Sequence, residues 1–336
     1  MNSVQLQRAV IAVVAFAVLS GSFFLLIGLG PIDMLVAIFT AAAGSGYAVG
    51  ESLLRATPIL LCALATLVPA RLGLVSVGAE GQLYFGALVG TGALLLAPSA
   101  LPQLPLVLLG GLIGGAVWGL LPALLRVAAD VNETISTLML NYVAALLVTW
   151  LVYGPWKDPQ SQGWPASINF PEAARLPLLG ESRLHAGLLL AVVVGIVLHQ
   201  LFTRSRWGLV LDVLRSNPRL APLAGLSMAR QVLLTMAIGG ALAGLAGIAE
   251  TSSVQGRLQA SFANGAGLSG FLVAWLAGNR VLPTMALALL VGGLLAAGDG
   301  LQMMTSVPSS AVLVVQGLMF VALLGAGGWR KRAGRG

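Results

Sequence analysis

Few residues in this chain could do chemistry. There are two histidines, His185 and His199, and one cysteine, Cys62. That set builds neither a Cys/His metal site nor a disulfide within the chain, and neither histidine completes a Ser/His/Asp grouping. The only lysines, Lys157 and Lys331, stand outside any Gly-x-x-x-x-Gly-Lys-Ser/Thr phosphate loop. The chain is therefore expected to have no ATPase site, metal or cofactor of its own. What remains is a set of polar residues among apolar ones: Glu80, Gln82, Asn132, Glu133, Asn141, Glu250 and Asp299. In hydrocarbon a charge at a helix centre costs about 2.5–3.5 kcal/mol. Glu80, Gln82 and Asn141 are the candidates for a solute path. Glu80 has a plainer alternative, pairing with Arg71 or capping broken backbone; so does Asn141, a hydrogen bond between helices. Asn132 and Glu133 suit a helix start, where a carboxylate meets the positive helix end. Glu250 and Asp299 fit the outer interface.

The elements that must hold these residues follow from composition. The chain has 336 residues, of which 58% are hydrophobic and 9% charged, with mean hydropathy +0.95. A soluble domain is about a quarter charged. Successive apolar runs of about 20 residues match the thickness of a bilayer, and they do not alternate as barrel strands do. The expected fold is all-α, a polytopic transmembrane bundle forming a single transmembrane domain over 1–336. Ten spans are expected, near 9–29, 52–70, 74–97, 104–125, 134–154, 185–202, 232–250, 266–279, 283–304 and 309–327. The glycine-rich run 31–50 is broken and reads as interfacial or re-entrant. The first span is retained, because "GLGPIDM" is no signal-peptide cleavage site. Most of the 18 Lys and Arg fall in alternate loops, which places both termini in the cytoplasm. The net charge of +7 is accounted for by this asymmetry, so no nucleic acid is implied.

Two loops are long. Residues 155–184 carry five prolines with Trp156 and Trp164, and read as an ordered external loop. Residues 203–231 read as a cytoplasmic loop holding "LDVLRSNPRLAPLAGLSMAR". Asn217-Pro218 is a helix-start signal, and Gly225 a stop. Between them Leu220, Ala221, Leu223 and Ala224 offer a small apolar face, flanked by Arg215 and Arg219. Such a helix either lies on anionic lipid or docks into a protein groove, which small alanines favour. Among the 43 glycines, Gly110/Gly114, Gly111/Gly115/Gly119 and Gly240/Gly244 form small-xxx-small rows. "GAEGQLYFGALVG" (78–90) and "GAGLSGFLVAWLA" (265–277) share positions and suggest an inverted repeat.

The loop resembles the cytoplasmic coupling loop of ABC-importer permeases of the branched-chain amino acid and ribose permease superfamily. "VSVGAEGQLYFGALVGTGALL" (75–95) resembles its Gly-Glu-Gly-Gln signature. "NETISTLMLNYVAALLVTWLVYGPW" (132–156) and "GLSGFLVAWLAGNRVLPTMALALLVGGLLAAG" (267–298) resemble its nucleoside-type branch. Two departures stand out. Asp212, Val213, Leu214 and Arg215 replace an Arg-Ala-Val-Gly, and Val75 and Ser76 replace a Phe-Asn. The resemblance implies an importer permease in a bacterial or archaeal cytoplasmic membrane. ATP and Mg would be handled by two separate ATPase subunits, contacted through Arg215, Asn217, Pro218, Leu220, Ala221, Leu223, Ala224 and Gly225. A second permease subunit and an extracytoplasmic substrate-binding protein are the other expected partners. The solute would be a nucleoside or a related base or sugar; branched-chain amino acids or ribose-type sugars are the alternative. No acidic series stands at proton-relay spacing, which counts against a proton-coupled carrier. A sodium-coupled secondary transporter needs only carbonyls and hydroxyls and remains the alternative of another class.

Overall fold

The computed structural model describes residues 3–96, 98, 101–161, 163–180, 183–217, 221, 225–304 and 308–333. It is helical, and its helices are α1 (Ser3–Leu26), α2 (Pro31–Ala43), α3 (Gly46–Arg71), α4 (Ala79–Leu96), α5 (Gln103–Ala129), α6 (Glu133–Tyr153), α7 (Gly187–Arg204), α8 (Arg206–Ser216), α9 (Met228–Ala249), α10 (Ala266–Leu276), α11 (Val281–Met304) and α12 (Ser309–Ala333). A π-helical turn, Glu250–Gln255, extends α9. The chain divides into two compact units, one of residues 1–56 with 289–336, the other of 57–288.

Among the described residues six helices are long and apolar enough to cross a membrane: Gly46–Arg71, Gln103–Ala129, Glu133–Tyr153, Gly187–Arg204, Met228–Gln255 and Val281–Gln302. The pair Val10–Leu26 and Pro31–Ala43, bent by 111°, adds a seventh if it is one span. The other expected spans are helical but shorter or more polar. α10 has 11 residues, about 16 Å of helix against a hydrocarbon core of about 30 Å. α4 opens only at Ala79 and carries Glu80 and Gln82 in its first turn. The broken reading of 31–50 matches the bend before α2 and the short turn between Ala43 and Gly46.

In the larger unit, α4, α5 and α9 form the core, and the glycine rows explain how. α5 presents two glycine stripes to two neighbours. Gly110 and Gly114 lie on α4, where an added Cβ would come within 2.8 Å of the Gly90 Cα and 2.7 Å of the Val89 Cβ. Gly111, Gly115 and Gly119 face α9, where a Cβ on Gly115 would meet the Gly240 carbonyl and the Gly244 Cα. Any larger residue there would push the backbones apart, so overlapping rows are what one helix clamped between two others requires. Phe170 and Ala174 of the segment between α6 and α7 join Val107, Leu245 and Ile248 in an apolar cluster. Ser167 pairs with Leu258 and Phe170 N–H donates to the Gly256 carbonyl, which fixes this loop.

In the smaller unit, α1 packs on α12, and the Ser52 hydroxyl donates to the Ala42 carbonyl at 2.7 Å. Asp299 is ion-paired with Arg55 at 2.6 Å, both partly exposed.

Candidate functional site

The site is a break in the helical ladder between α3 and α4. Residues 72–78 are not helical, yet most of them are buried or half-buried. Buried non-helical backbone must find partners inside the protein, and one face of α6 supplies them. Val75 N–H donates to Glu133 Oε1 at 3.2 Å, and the Thr134 hydroxyl donates to the Val75 carbonyl at 2.8 Å. Val77 N–H donates to Thr137 Oγ1 at 3.1 Å. Asn141 Nδ2 donates to the Val77 carbonyl and its Oδ1 accepts from Gly81 N–H, both at 2.8 Å. Glu133, Thr137 and Asn141 are spaced i, i+4, i+8, one stripe about 12 Å long on α6. The stripe starts from a well-capped end, because Asn132 Oδ1 accepts from the N–H groups of Thr134 and Ile135. Arg126 Nε stands 3.6 Å from the second oxygen of Glu133.

Asn141 is the decisive member. In a continuous helix Gly81 N–H would donate to the Val77 carbonyl, four residues back. Here the Asn141 amide is inserted between those two groups, offering a donor to one and an acceptor to the other. It occupies the place of a peptide unit and holds the first turn of α4 open. Gly81 makes room: a Cβ there would lie 2.8 Å from the Asn141 Cα.

A second break faces the first. After the π-turn the chain is irregular from 256 to 265, and α10 then begins. Glu80 caps it. Its Oε2 accepts from the N–H groups of Gly267 at 2.6 Å and Leu268 at 3.2 Å, and its Oε1 accepts from Gly265 N–H at 3.2 Å. An anion at the positive end of α10 is electrostatically matched, and Gly267 leaves space for it. α4 and α10 thus meet at their N-terminal ends, which brings the starts of the similar segments 78–90 and 265–277 together. Tyr84 and Phe262 close the contact edge to face, with centroids 4.9 Å apart. Gln82 is buried beside Gly119 of α5.

In the loop after α7, α8 is tied to two other helices. Ser205 caps it by accepting from Gly208 N–H, and Leu211 and Leu214 are fully buried. Arg71, the last residue of α3, donates to Asp212 Oδ2 at 2.6 Å and lies over the Phe202 ring at 5.5 Å. Trp207 Nε1 donates to Gln231 Oε1 of α9 at 2.9 Å.

The sequence of the chain was compared with known proteins. Residues 48–324 match the family described as branched-chain amino acid transport system / permease component. The chain belongs to this permease family. It is 35% identical over 327 residues to a glucose ABC transporter permease protein of Haloferax volcanii, covering 94% of this chain and 86% of the relative. It is 31% identical to a guanosine ABC transporter permease protein of Bacillus subtilis, covering 85% and 84%. A nucleoside ABC transporter permease protein of Lactococcus lactis is 29% identical, covering 93% and 89%.

Of the residues singled out in the permease sequence, Glu80 and Asn141 both act at the start of α4, whose first turn also holds Gln82. Glu80 caps backbone, and Arg71 finds Asp212 instead. Glu250 is buried within the π-turn and is hydrogen-bonded by Gln255 Nε2 at 3.4 Å. In the loop, Arg215 and Asn217 are exposed, and Asn217 closes α8 by donating its N–H to the Val213 carbonyl. Pro218, Leu220, Leu223 and Ala224 lie outside the described residues. Ala221 is helical and only 3% exposed, so its side chain is covered by the permease itself. Gly225, with φ +65°, and the Leu226 N–H bond to the Ala221 carbonyl at 2.8 Å form a left-handed helix terminus. Sequence reasoning missed α8 as a helix and missed Asp212. The signal was present in the Ser205 cap and in apolar Trp207, Val210, Leu211 and Leu214.

Proposed function

We propose that this chain is the membrane permease subunit of an ATP-binding-cassette importer that moves an uncharged polyhydroxylated solute, a nucleoside or a related sugar. The observation that carries this reading is the buried non-helical junction at the starts of α4 and α10, joined at Glu80 and stitched by Asn141. Transporters build solute sites from irregular backbone between helix ends, and polar groups held there are fixed in place. The relatives named for glucose, guanosine and nucleosides support a neutral solute. Glu80, Gln82 and Asn141 border the path in this reading. Ten spans with both termini in the cytoplasm, counting the short α10 and the bent α1–α2 pair, fit the positive-inside asymmetry.

ATP, with Mg, is hydrolysed by two separate subunits seated on the cytoplasmic loop, where Arg215, Asn217 and Gly225 are exposed and Pro218, Leu220, Leu223 and Ala224 complete the contact. A second permease subunit completes the path, and an extracytoplasmic binding protein delivers the solute at a bacterial or archaeal cytoplasmic membrane. The test is ATP-driven uptake by the reconstituted complex across a panel of nucleosides, sugars and branched-chain amino acids. Uptake of a nucleoside or sugar is expected. Uptake of amino acids alone would refute the solute assignment, and solute movement driven by a sodium gradient without ATP would refute the importer.

A further inference from the structure

The junction of α3, α7 and α8 holds one arginine in an incomplete arrangement. Arg71 ends α3, and the stitched segment 72–78 begins at the next residue. One terminal nitrogen, Nη2, serves both of its polar contacts, Asp212 Oδ2 at 2.6 Å and the Phe202 carbonyl at 3.4 Å. The Nε of the same guanidinium is buried and has no hydrogen-bond partner among the described residues. A buried donor without an acceptor is unfavourable, and a guanidinium satisfies Nε and Nη2 together when a carboxylate presents both oxygens. Asp212 presents one. Its side chain is 43% exposed, so the carboxylate is open on one side.

We propose that Arg71 and Asp212 are positioning residues that form a two-position joint between the cytoplasmic loop and the broken span. In the position seen here the contact is made through a single nitrogen. A small displacement of α8 along the end of α3 turns it into a two-pronged pair and gives Nε its acceptor. The displaced element is anchored on its other side by Trp207 to Gln231 at the start of α9. A push on the loop therefore reaches α3 with its 72–78 segment, and α9 with its π-turn, through two side-chain bonds. This inference rests on the importer reading, since that reading supplies the push.

The test uses the whole complex in liposomes, screened against a panel of nucleosides and sugars, and reads solute moved per ATP hydrolysed. Arg71→Lys is the informative variant, because lysine keeps the charge and a single-point pair but cannot make the two-pronged one. Arg71→Lys and Asp212→Asn are each expected to lower the ratio about tenfold while the permease still co-purifies with its ATPase. A ratio within twofold of wild type in Arg71→Lys would overturn the joint. So would loss of assembly in both variants, which would make the pair a simple brace. Wild-type complex that hydrolyses ATP but moves no solute would instead remove the importer reading, and the joint with it.

Discussion

Replacing Asn141 with leucine removes both hydrogen bonds of an amide that stands in for a peptide unit. The Val77 carbonyl and Gly81 N–H lose partners at 2.8 Å, in a site where Asn141 is only 8% exposed. An orphaned buried group costs about 1–3 kcal/mol, so both together cost about 2–6 kcal/mol. Polar bonds between membrane helices average only about 0.6 kcal/mol, because the unfolded state within the bilayer finds other partners. The relaxation open to this variant is for Gly81 N–H to bond the Val77 carbonyl directly and wind α4 back by a turn. That movement is opposed by the neighbouring bonds of Val75 to Glu133 and Val77 to Thr137. A loss of at least about 2 kcal/mol is therefore expected for Asn141→Leu, a large share of a typical total. Asn141→Asp should be at least as damaging, since a carboxylate can accept from Gly81 but only opposes the Val77 carbonyl. Thr137→Val, which loses a single bond, should cost less. Reversible unfolding of the purified permease in lipid nanodiscs measures all three. If Asn141→Leu is within about 0.5 kcal/mol of wild type, the amide is not holding the break and the argument from the stitched segment fails.

Three further outcomes are expected. Gly115→Leu, whose Cβ would collide with the backbone of α9, should lower stability by about 1–3 kcal/mol or more; Gly317→Leu, where a Cβ meets open space, should stay within about 0.5 kcal/mol, and equal melting shifts would contradict the glycine clamp. Glu80→Ala, which leaves the N–H groups of Gly265, Gly267 and Leu268 uncapped, should destabilise more than Glu80→Gln, which keeps one acceptor oxygen; limited proteolysis near 256–265 reads the order, and the reverse order would rule out capping. His185, buried ahead of α7, accepts from Gly187 N–H at 3.0 Å, and burial pushes its pKa down to about 4. Because the unfolded chain binds this proton near pH 6.5, its contribution is fully present above about 6.5 and is lost as pH falls toward 4. His185→Asn should flatten that acid limb of the melting temperature, and an unchanged limb would assign it to other groups.

The helical class was legible because apolar length alone decides it. The break was legible only in part. "NETISTLMLN" shows its cap and its polar stripe, since Asn132, Glu133, Thr137 and Asn141 stand at helical spacing, but spacing does not say what a stripe faces. Its partner is backbone, and backbone leaves no residue type to read. Glu80 had the same ambiguity: capping and pairing with Arg71 were equal on sequence, and the glycine at 267 decides, because a Cβ there would collide with Glu80. The glycine rows were visible as rows, yet their division between two neighbours depends on a rotation of α5 that composition does not carry.

The cytoplasmic loop makes the same argument from the other side. Small alanines at 221 and 224 suggest a face shaped for a partner's groove. Ala221, however, is already covered within the chain, so a small residue there is required by this protein's own packing. A bulky replacement at 221 would damage the permease before any partner met it, and its effect on transport would say nothing about docking. Arg215 and Asn217 keep exposed surface, so a change there acts in part on a face that a partner or lipid can touch. Burial in the isolated chain thus separates residues that shape the loop from residues that can present it, a distinction that residue type alone does not contain.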